Sequence, residues 1–139
     1  MRRPTWLLLP VAMAATGCRS APPPLPAPFQ TTRGVVEASW RIEDPGGELA
    51  GYLTRTRYDF PQGSTLRFHV WNCDSQTVGF VDENGRAFRL VPFEEEPVLV
   101  ATGSLEKGAG AILHFDRPAR LRRISEAQWQ DAAASRRSQ

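Results

Sequence analysis

Two histidines, one cysteine and two aspartates form the only set of side chains in this sequence that suggests a zinc site: His69, Cys73, Asp74, His114 and Asp116. A zinc site needs three or four converging ligands, and these residues match no recognised ligand spacing. We therefore predict no metal site. We expect His69 to face solvent from a strand, and Cys73 to lie in a turn or in the core.

Ser104 and Lys107 have the S-x-x-K spacing, in which a lysine one helical turn away assists a serine nucleophile. Gly103 and Gly108 flank them and favour a loop over the helix that this arrangement needs. Neither S-D-N nor K-T-G occurs in the chain, and no G-x-S-x-G motif marks another serine. We predict no catalytic residue, and so a protein that is not an enzyme.

Three consecutive glutamates, residues 94–96, form an acidic run between Pro92 and Pro97. The run lacks the alternating ligands and the glycine of an EF-hand, so a solvated loop is expected. The chain also has no phosphate-binding loop and no dinucleotide fingerprint. No cofactor is predicted.

Length and charge limit the classes of protein further. The chain has 139 residues, 41% of them hydrophobic, which suits one small domain. Arg2 and Arg3 lie in a segment that we expect to be removed, and without them 15 basic residues balance 15 acidic ones. A near-neutral mature chain argues against a nucleic-acid partner, and two cysteines argue against a disulfide-rich scaffold.

Residues 1–17 have the order of parts of a secretory signal: two arginines, an apolar run over residues 6–15, and small residues before Cys18. The run is about half the roughly 20 residues that a membrane-spanning helix needs. Residues 15–18, Ala-Thr-Gly-Cys, resemble the lipobox of bacterial lipoproteins. The resemblance implies that Cys18 receives diacylglycerol, becomes the first residue of the mature chain and anchors it to a membrane.

The alternative is ordinary secretion, because Ala-Met-Ala at residues 12–14 is an A-x-A cleavage site. Cys18 would then remain a free thiol or pair with Cys73. We favour lipidation, since Cys18 stands where a lipobox requires it. Arg19 follows, where certain inner-membrane lipoproteins carry Asp, so the resemblance implies an outer-membrane anchor facing the periplasm.

Residues 19–29 contain five prolines, which favour an extended polyproline II spacer. At about 3.1 Å per residue, the spacer reaches roughly 30 Å from the lipid. The chain therefore divides into a signal peptide (residues 1–17), the lipidated cysteine with its linker (18–29), a β domain (30–124), and a C-terminal helix with a basic tail (125–139).

Strand-like runs alternate with turn signals through the β domain, and one of these signals covers residues 108–110. No convincing helical periodicity appears before Ser125. We predict an all-β fold, a small antiparallel barrel or sandwich of about six to eight strands with a short C-terminal helix. Asn84-Gly85 predicts a type I′ hairpin that pairs Val81 with Phe88 and Glu83 with Arg86.

Two segments have similar patterns of residue types, which we call the internal echo. A shift of 28 residues aligns residues 40–53 with residues 68–81. Asp44 matches Asn72, and Gly51 matches Gly79. The echo predicts two equivalent hairpins with alternating residues facing the core. Each glycine indicates a bulge, a sharp bend or a close approach of the backbone.

Residues 125–128, Ser-Glu-Ala-Gln, form a capping box that predicts a helix from Glu126 to about Ser135. Ile124 and Trp129 have the spacing of a hydrophobic staple. Residues 30–116 carry eight positive and thirteen negative side chains, whereas residues 117–139 carry six positive and two negative. We expect the arginines near the C-terminus to dock on the acidic domain, with anionic lipid as the alternative.

These observations favour a lipid-anchored envelope protein that acts as a non-catalytic interaction module with a protein partner. The alternatives are a small-ligand carrier and, less favoured, an envelope hydrolase. The expected contacts are the loops at residues 82–85 and 92–97, with outward aromatic residues such as Trp71 and Phe93.

Overall fold

The computed structural model describes residues 34–137, and about half of them belong to one seven-stranded sheet. The strands are β1 (Val35–Glu43), β2 (Leu49–Phe60), β3 (Gly63–Asn72), β4 (Thr77–Val81), β5 (Arg86–Arg89), β6 (Val98–Thr102) and β7 (Arg120–Ile124). Helix α1 (Leu105–Ile112) lies between β6 and β7, and helix α2 (Glu126–Arg137) follows β7. All neighbouring strands are antiparallel, in the order β6-β5-β4-β3-β2-β1-β7.

The core lies between α1 and one face of the sheet, which we call the inner face. Ile42, Leu53 and Val70 are fully buried there and cluster with Ala109 and Ile112 of α1. The opposite, outer face carries polar and aromatic side chains from the alternate positions of the same strands. The predicted antiparallel all-β fold with a short C-terminal helix is confirmed. The sheet does not close into a barrel.

Three hairpin turns in the sheet share one design. In each, a side-chain oxygen at the end of a strand accepts hydrogen bonds from the backbone N–H groups two and four residues later, at 2.9–3.0 Å. The residue three positions later has a left-handed backbone. The accepting residues are Asp44, Asn72 and Asp82, and the left-handed ones are Gly47, Ser75 and Gly85. The match of Asp44 with Asn72 is confirmed, and the same turn recurs a third time.

The predicted register of the Asn84-Gly85 hairpin is wrong. Val81 pairs with Ala87, and Phe80 pairs with Phe88. A type I′ turn needs positive φ at both central residues, but here only Gly85 is left-handed, with φ of 76°. The Asp82 carboxylate stabilises a longer turn by accepting from the N–H of Arg86 at 2.9 Å.

Gly51 and Gly79 occupy equivalent places in the β1–β2 and β3–β4 hairpins. Ile42 pairs with Gly51 and Val70 with Gly79, and in both hairpins the register shifts at the next pair. A Cβ atom on Gly51 would lie 2.1 Å from the carbonyl oxygen of Trp71, and one on Gly79 would lie 2.4 Å from that of Phe88. The predicted close approach at both glycines is confirmed.

The loop predicted around residues 103–110 is wrong, because helix α1 starts at Leu105. Ser104 is its N-cap and accepts from the N–H of Lys107 at 3.1 Å. Gly108 and Gly110 are buried because they bring the helix close to its neighbours. A Cβ atom on Gly108 would lie 3.0 Å from Ala87 Cβ, and one on Gly110 would lie 2.6 Å from the carbonyl oxygen of Arg117. Tertiary packing thus outweighs the weak helix propensity of glycine.

The capping box at the start of α2 is confirmed. Ser125 N–H donates to Gln128 Oε1 at 2.8 Å, and Gln128 N–H donates to Ser125 Oγ at 3.1 Å. Trp129 packs on the outer face, with its ring 5.8 Å from those of Tyr52 and Trp71. Cys18, the signal sequence and the proline-rich linker lie outside the described residues.

Candidate functional site

The candidate site begins where α1 ends, beside the last residues of β5. The N–H of Phe115 donates to Gly110 O at 2.8 Å and that of His114 donates to Ala111 O at 3.2 Å. With His114 in the left-handed conformation at φ 64°, these bonds form a Schellman motif. Arg89 Nε donates to Ile112 O at 3.2 Å, and its guanidinium also donates to Ala111 O. A cation on β5 therefore neutralises the negative end of α1 and fixes the helix to the sheet.

An apolar cavity of about 480 Å³ opens between this helix end and the strand that holds it. It is lined by Val78, Arg89, Leu90, Val91, Pro92, Ile112, Leu113 and His114. Its volume falls in the range of about 300–1,000 Å³ that small-molecule sites occupy. The lining is mainly aliphatic, so the cavity suits an apolar group better than a charged one.

Phe93 follows Pro92, which lines the cavity, in the loop between β5 and β6. The loop turns through a hydrogen bond of 3.2 Å from Glu94 N–H to Val91 O. Phe93 has a left-handed backbone, with φ of 68°, and its side chain is fully exposed. A bulky residue in this conformation is unusual, and such strain concentrates at functional sites. Within residues 34–137, no other residue shields this aromatic ring from solvent.

Three further apolar side chains are exposed in this part of the chain: Leu90 by 42%, Val98 by 42% and Leu99 by 53%. The three glutamates of residues 94–96 are also exposed and border this surface. We call Leu90, Phe93 and the adjoining cavity the apolar platform. It combines an exposed aromatic side chain, an apolar cavity and an acidic border.

The five residues that the sequence analysis considered as zinc ligands do not form a cluster. Within residues 34–137, no group of three or more His, Cys, Asp or Glu side chains is close enough together to hold a metal ion. His69 lies on the outer face and Cys73 in the turn after β3, with an exposed thiol. His114 instead completes the helix end described above.

His69 has a partner that the sequence analysis did not identify. Its Nε2 lies 2.7 Å from the hydroxyl of Tyr58 on β2. Burial, followed by the positive charge of Arg67, lowers the pKa of His69 from its ordinary value of 6.5. The lowered pKa favours the neutral imidazole, which shares this hydrogen bond with the Tyr58 hydroxyl as donor or acceptor according to its tautomer.

The two predicted aromatic contacts differ in their surroundings. Trp71 is half-buried on the outer face, its indole N–H donates to Thr54 Oγ1 at 3.0 Å, and Trp129 covers part of it. Phe93 is fully exposed among the residues that the structure describes. Ser104 and Lys107 form a helix cap, in which the serine hydroxyl accepts from a backbone N–H.

Sequence analysis missed the cavity because it assigned residues 108–110 to a turn. The signal was present: Ser104 is a good N-cap residue, and the apolar residues Leu105, Ala109 and Ile112 follow at helical spacing. The contact between Tyr58 and His69 could not be predicted without the register of β2 and β3. In that register His69 lies opposite Thr54 and Tyr58 lies opposite Thr65, so the two residues are not direct cross-strand neighbours.

The comparisons with known proteins give no relatives. No family model, curated protein or solved structure matches this chain. Among the residues that the structure describes, neither helix is long and apolar enough to cross a membrane.

Proposed function

We propose that this chain is a lipid-anchored protein of the bacterial cell envelope that binds a neighbouring envelope protein through the apolar platform. The observation that carries the proposal is Phe93, a fully exposed aromatic side chain on a left-handed backbone. It lies beside a cavity of about 480 Å³. Large aromatic residues dominate binding energy when a partner desolvates them.

The anchor and the surface act together in this proposal. A lipid at Cys18 confines the domain to a layer near the membrane, which raises the effective concentration of neighbouring partners. A modest intrinsic affinity is then sufficient. The acidic rim at residues 94–96 favours a partner with basic residues around an apolar patch.

Intact mass spectrometry of the mature protein tests the anchor. We expect a chain that begins at Cys18 and carries the mass of diacylglycerol, usually with a further acyl chain. An unacylated chain that begins at Ala15 would contradict the lipoprotein assignment and leave a secreted domain.

Chemical cross-linking in intact cells tests the interaction surface. We expect the wild-type chain to form a discrete adduct with one envelope protein, and Phe93→Ser to lose it. Val36→Ser is the matched control, because Val36 is 47% exposed on β1, and this variant should retain the adduct. Equal adducts from both variants would exclude Phe93 as the contact.

The size and lining of the cavity favour one second candidate, a carrier of a small apolar ligand. Native mass spectrometry of the protein purified from its own cells would then show a bound molecule. Val78→Phe fills the cavity and should release it. The interaction module predicts instead that the wild-type protein has the mass of the acylated chain alone.

A further inference from the structure

The two edges of the sheet differ in a way that points to a second surface. β7 carries Arg120, Arg122 and Arg123 and leads directly into α2. Charged residues at an edge strand prevent pairing with other chains. β6 has the sequence VLVAT, carries no charge, and exposes Val98 and Leu99. Within residues 34–137, β6 pairs only with β5, and its other edge has no strand partner.

A groove runs beside the β6 edge. It has a volume of about 260 Å³ and lies between the strand, α1 and the segment after α1. Val100 and Ala101 line it from β6, and Lys107 and Ala111 line it from α1. A strand added to β6 would place alternate side chains in this groove, as in strand-addition complexes generally.

Opposite charges lie at the two ends of β6. The glutamates of residues 94–96 precede its first residue, and Lys107 lies against its C-terminal end. A Cβ atom on Gly103 would lie 3.9 Å from Lys107 Nζ. Within residues 34–137, neither the glutamates nor Lys107 form an ion pair. The five-residue strand spans about 17 Å, so the two charges are well separated.

We propose that β6 pairs antiparallel with β6 of a second copy of this chain, which forms one continuous sheet across a two-fold axis. Antiparallel pairing brings the glutamates of each copy to the lysine end of the other, whereas parallel pairing would bring like charges together. A two-fold contact of this kind closes after two copies. The groove beside β6 shares no lining residue with the cavity, but the glutamates of residues 94–96 border both surfaces, so Leu99→Lys and Phe93→Ser are the variants that distinguish failure of this dimer from failure of the proposed partner surface.

Sedimentation of the full chain, purified with its acyl groups in detergent, tests the dimer over a range of concentrations. We expect a reversible dimer whose Kd rises at least about tenfold in Leu99→Lys, because two lysines would then lie near each other across the axis. The matched control is Val36→Lys, since Val36 is 47% exposed and Leu99 is 53% exposed. Val36→Lys should dimerise like the wild type, and a thermal scan shows whether both variants are folded.

Charge reversal tests the antiparallel arrangement. Glu95→Lys and Lys107→Glu should each weaken the dimer, and the double variant should recover most of the lost affinity. A chain that stays monomeric at every concentration would overturn the proposal. So would a dimer indifferent to Leu99→Lys, a double variant without recovery, or open polymers, which would indicate head-to-tail contacts between different edges.

Discussion

Replacing Gly51 with alanine should destabilise the domain strongly, because β2 and β3 leave no room for a side chain there. The added Cβ would lie 2.1 Å from the carbonyl oxygen of Trp71, whereas non-bonded carbon and oxygen atoms stay about 3.3 Å apart. The obstacle is backbone, so it cannot turn aside as a side chain would. The strands must separate by roughly 1 Å at the end of their ladder, where Gly51 pairs with Asn72, which we expect to cost about 2–3 kcal/mol.

Thermal unfolding followed by circular dichroism measures this effect. A domain of this size loses about 4–8 °C in Tm per kcal/mol, so Gly51→Ala should melt about 10–20 °C below the wild type. Gly46→Ala is the control. Gly46 lies in an exposed turn, where the nearest atom to an added Cβ is Asp44 Oδ1 at 3.3 Å, and its Tm should change little. If the two variants melt at similar temperatures, the close approach does not exist in solution.

Three further perturbations test other parts of the fold. Glu43→Ala should cost about 1–3 kcal/mol in urea unfolding, because the carboxylate lies 3.4 Å from Arg41 and 3.2 Å from Arg122 and is only 9% exposed; Asp59→Ala, at an exposed ion pair, should change little. Trp129→Ala should destabilise the domain by about 1–3 kcal/mol through the loss of two ring contacts and so lower its Tm, and a chain ending at Ile124 that melts like the wild type would show that α2 is dispensable. The lowered pKa of His69 means that the unfolded chain binds a proton first, so stability should fall as pH drops below 6.5, and His69→Gln should flatten that part of a pH series of urea titrations.

The hairpins were predictable because short-range chemistry determines them. Asp44 and Asn72 accept from backbone groups within four residues, and the glycines that follow mark the close approach of the next strand. The β4–β5 hairpin shows the limit of that reasoning. Asn84-Gly85 alone favours a two-residue turn, and the bonds of the Asp82 carboxylate select the longer one.

The candidate site was only partly predictable. Phe93 lies in a loop bounded by prolines, so its exposure followed from the local sequence. The cavity is lined by the C-terminal end of α1, and the sequence presents Gly108 and Gly110 of that helix as turn formers, whereas the packing uses them for close contact. Docking of the C-terminal arginines was predicted in kind, and Arg122 pairs with Glu43 while Arg123 lies 4.9 Å above the ring of Trp40. The residues that these arginines contact are determined by the register between β1 and β7.

The most direct test of the proposed function is photo-cross-linking from position 93 in intact cells. A photoreactive phenylalanine analogue replaces Phe93 in the full chain, and the same analogue at Val36 serves as the reference. Our account predicts that position 93 captures one envelope protein and that position 36 captures none of it. Capture of the same proteins from both positions, or no capture from position 93, would contradict the account.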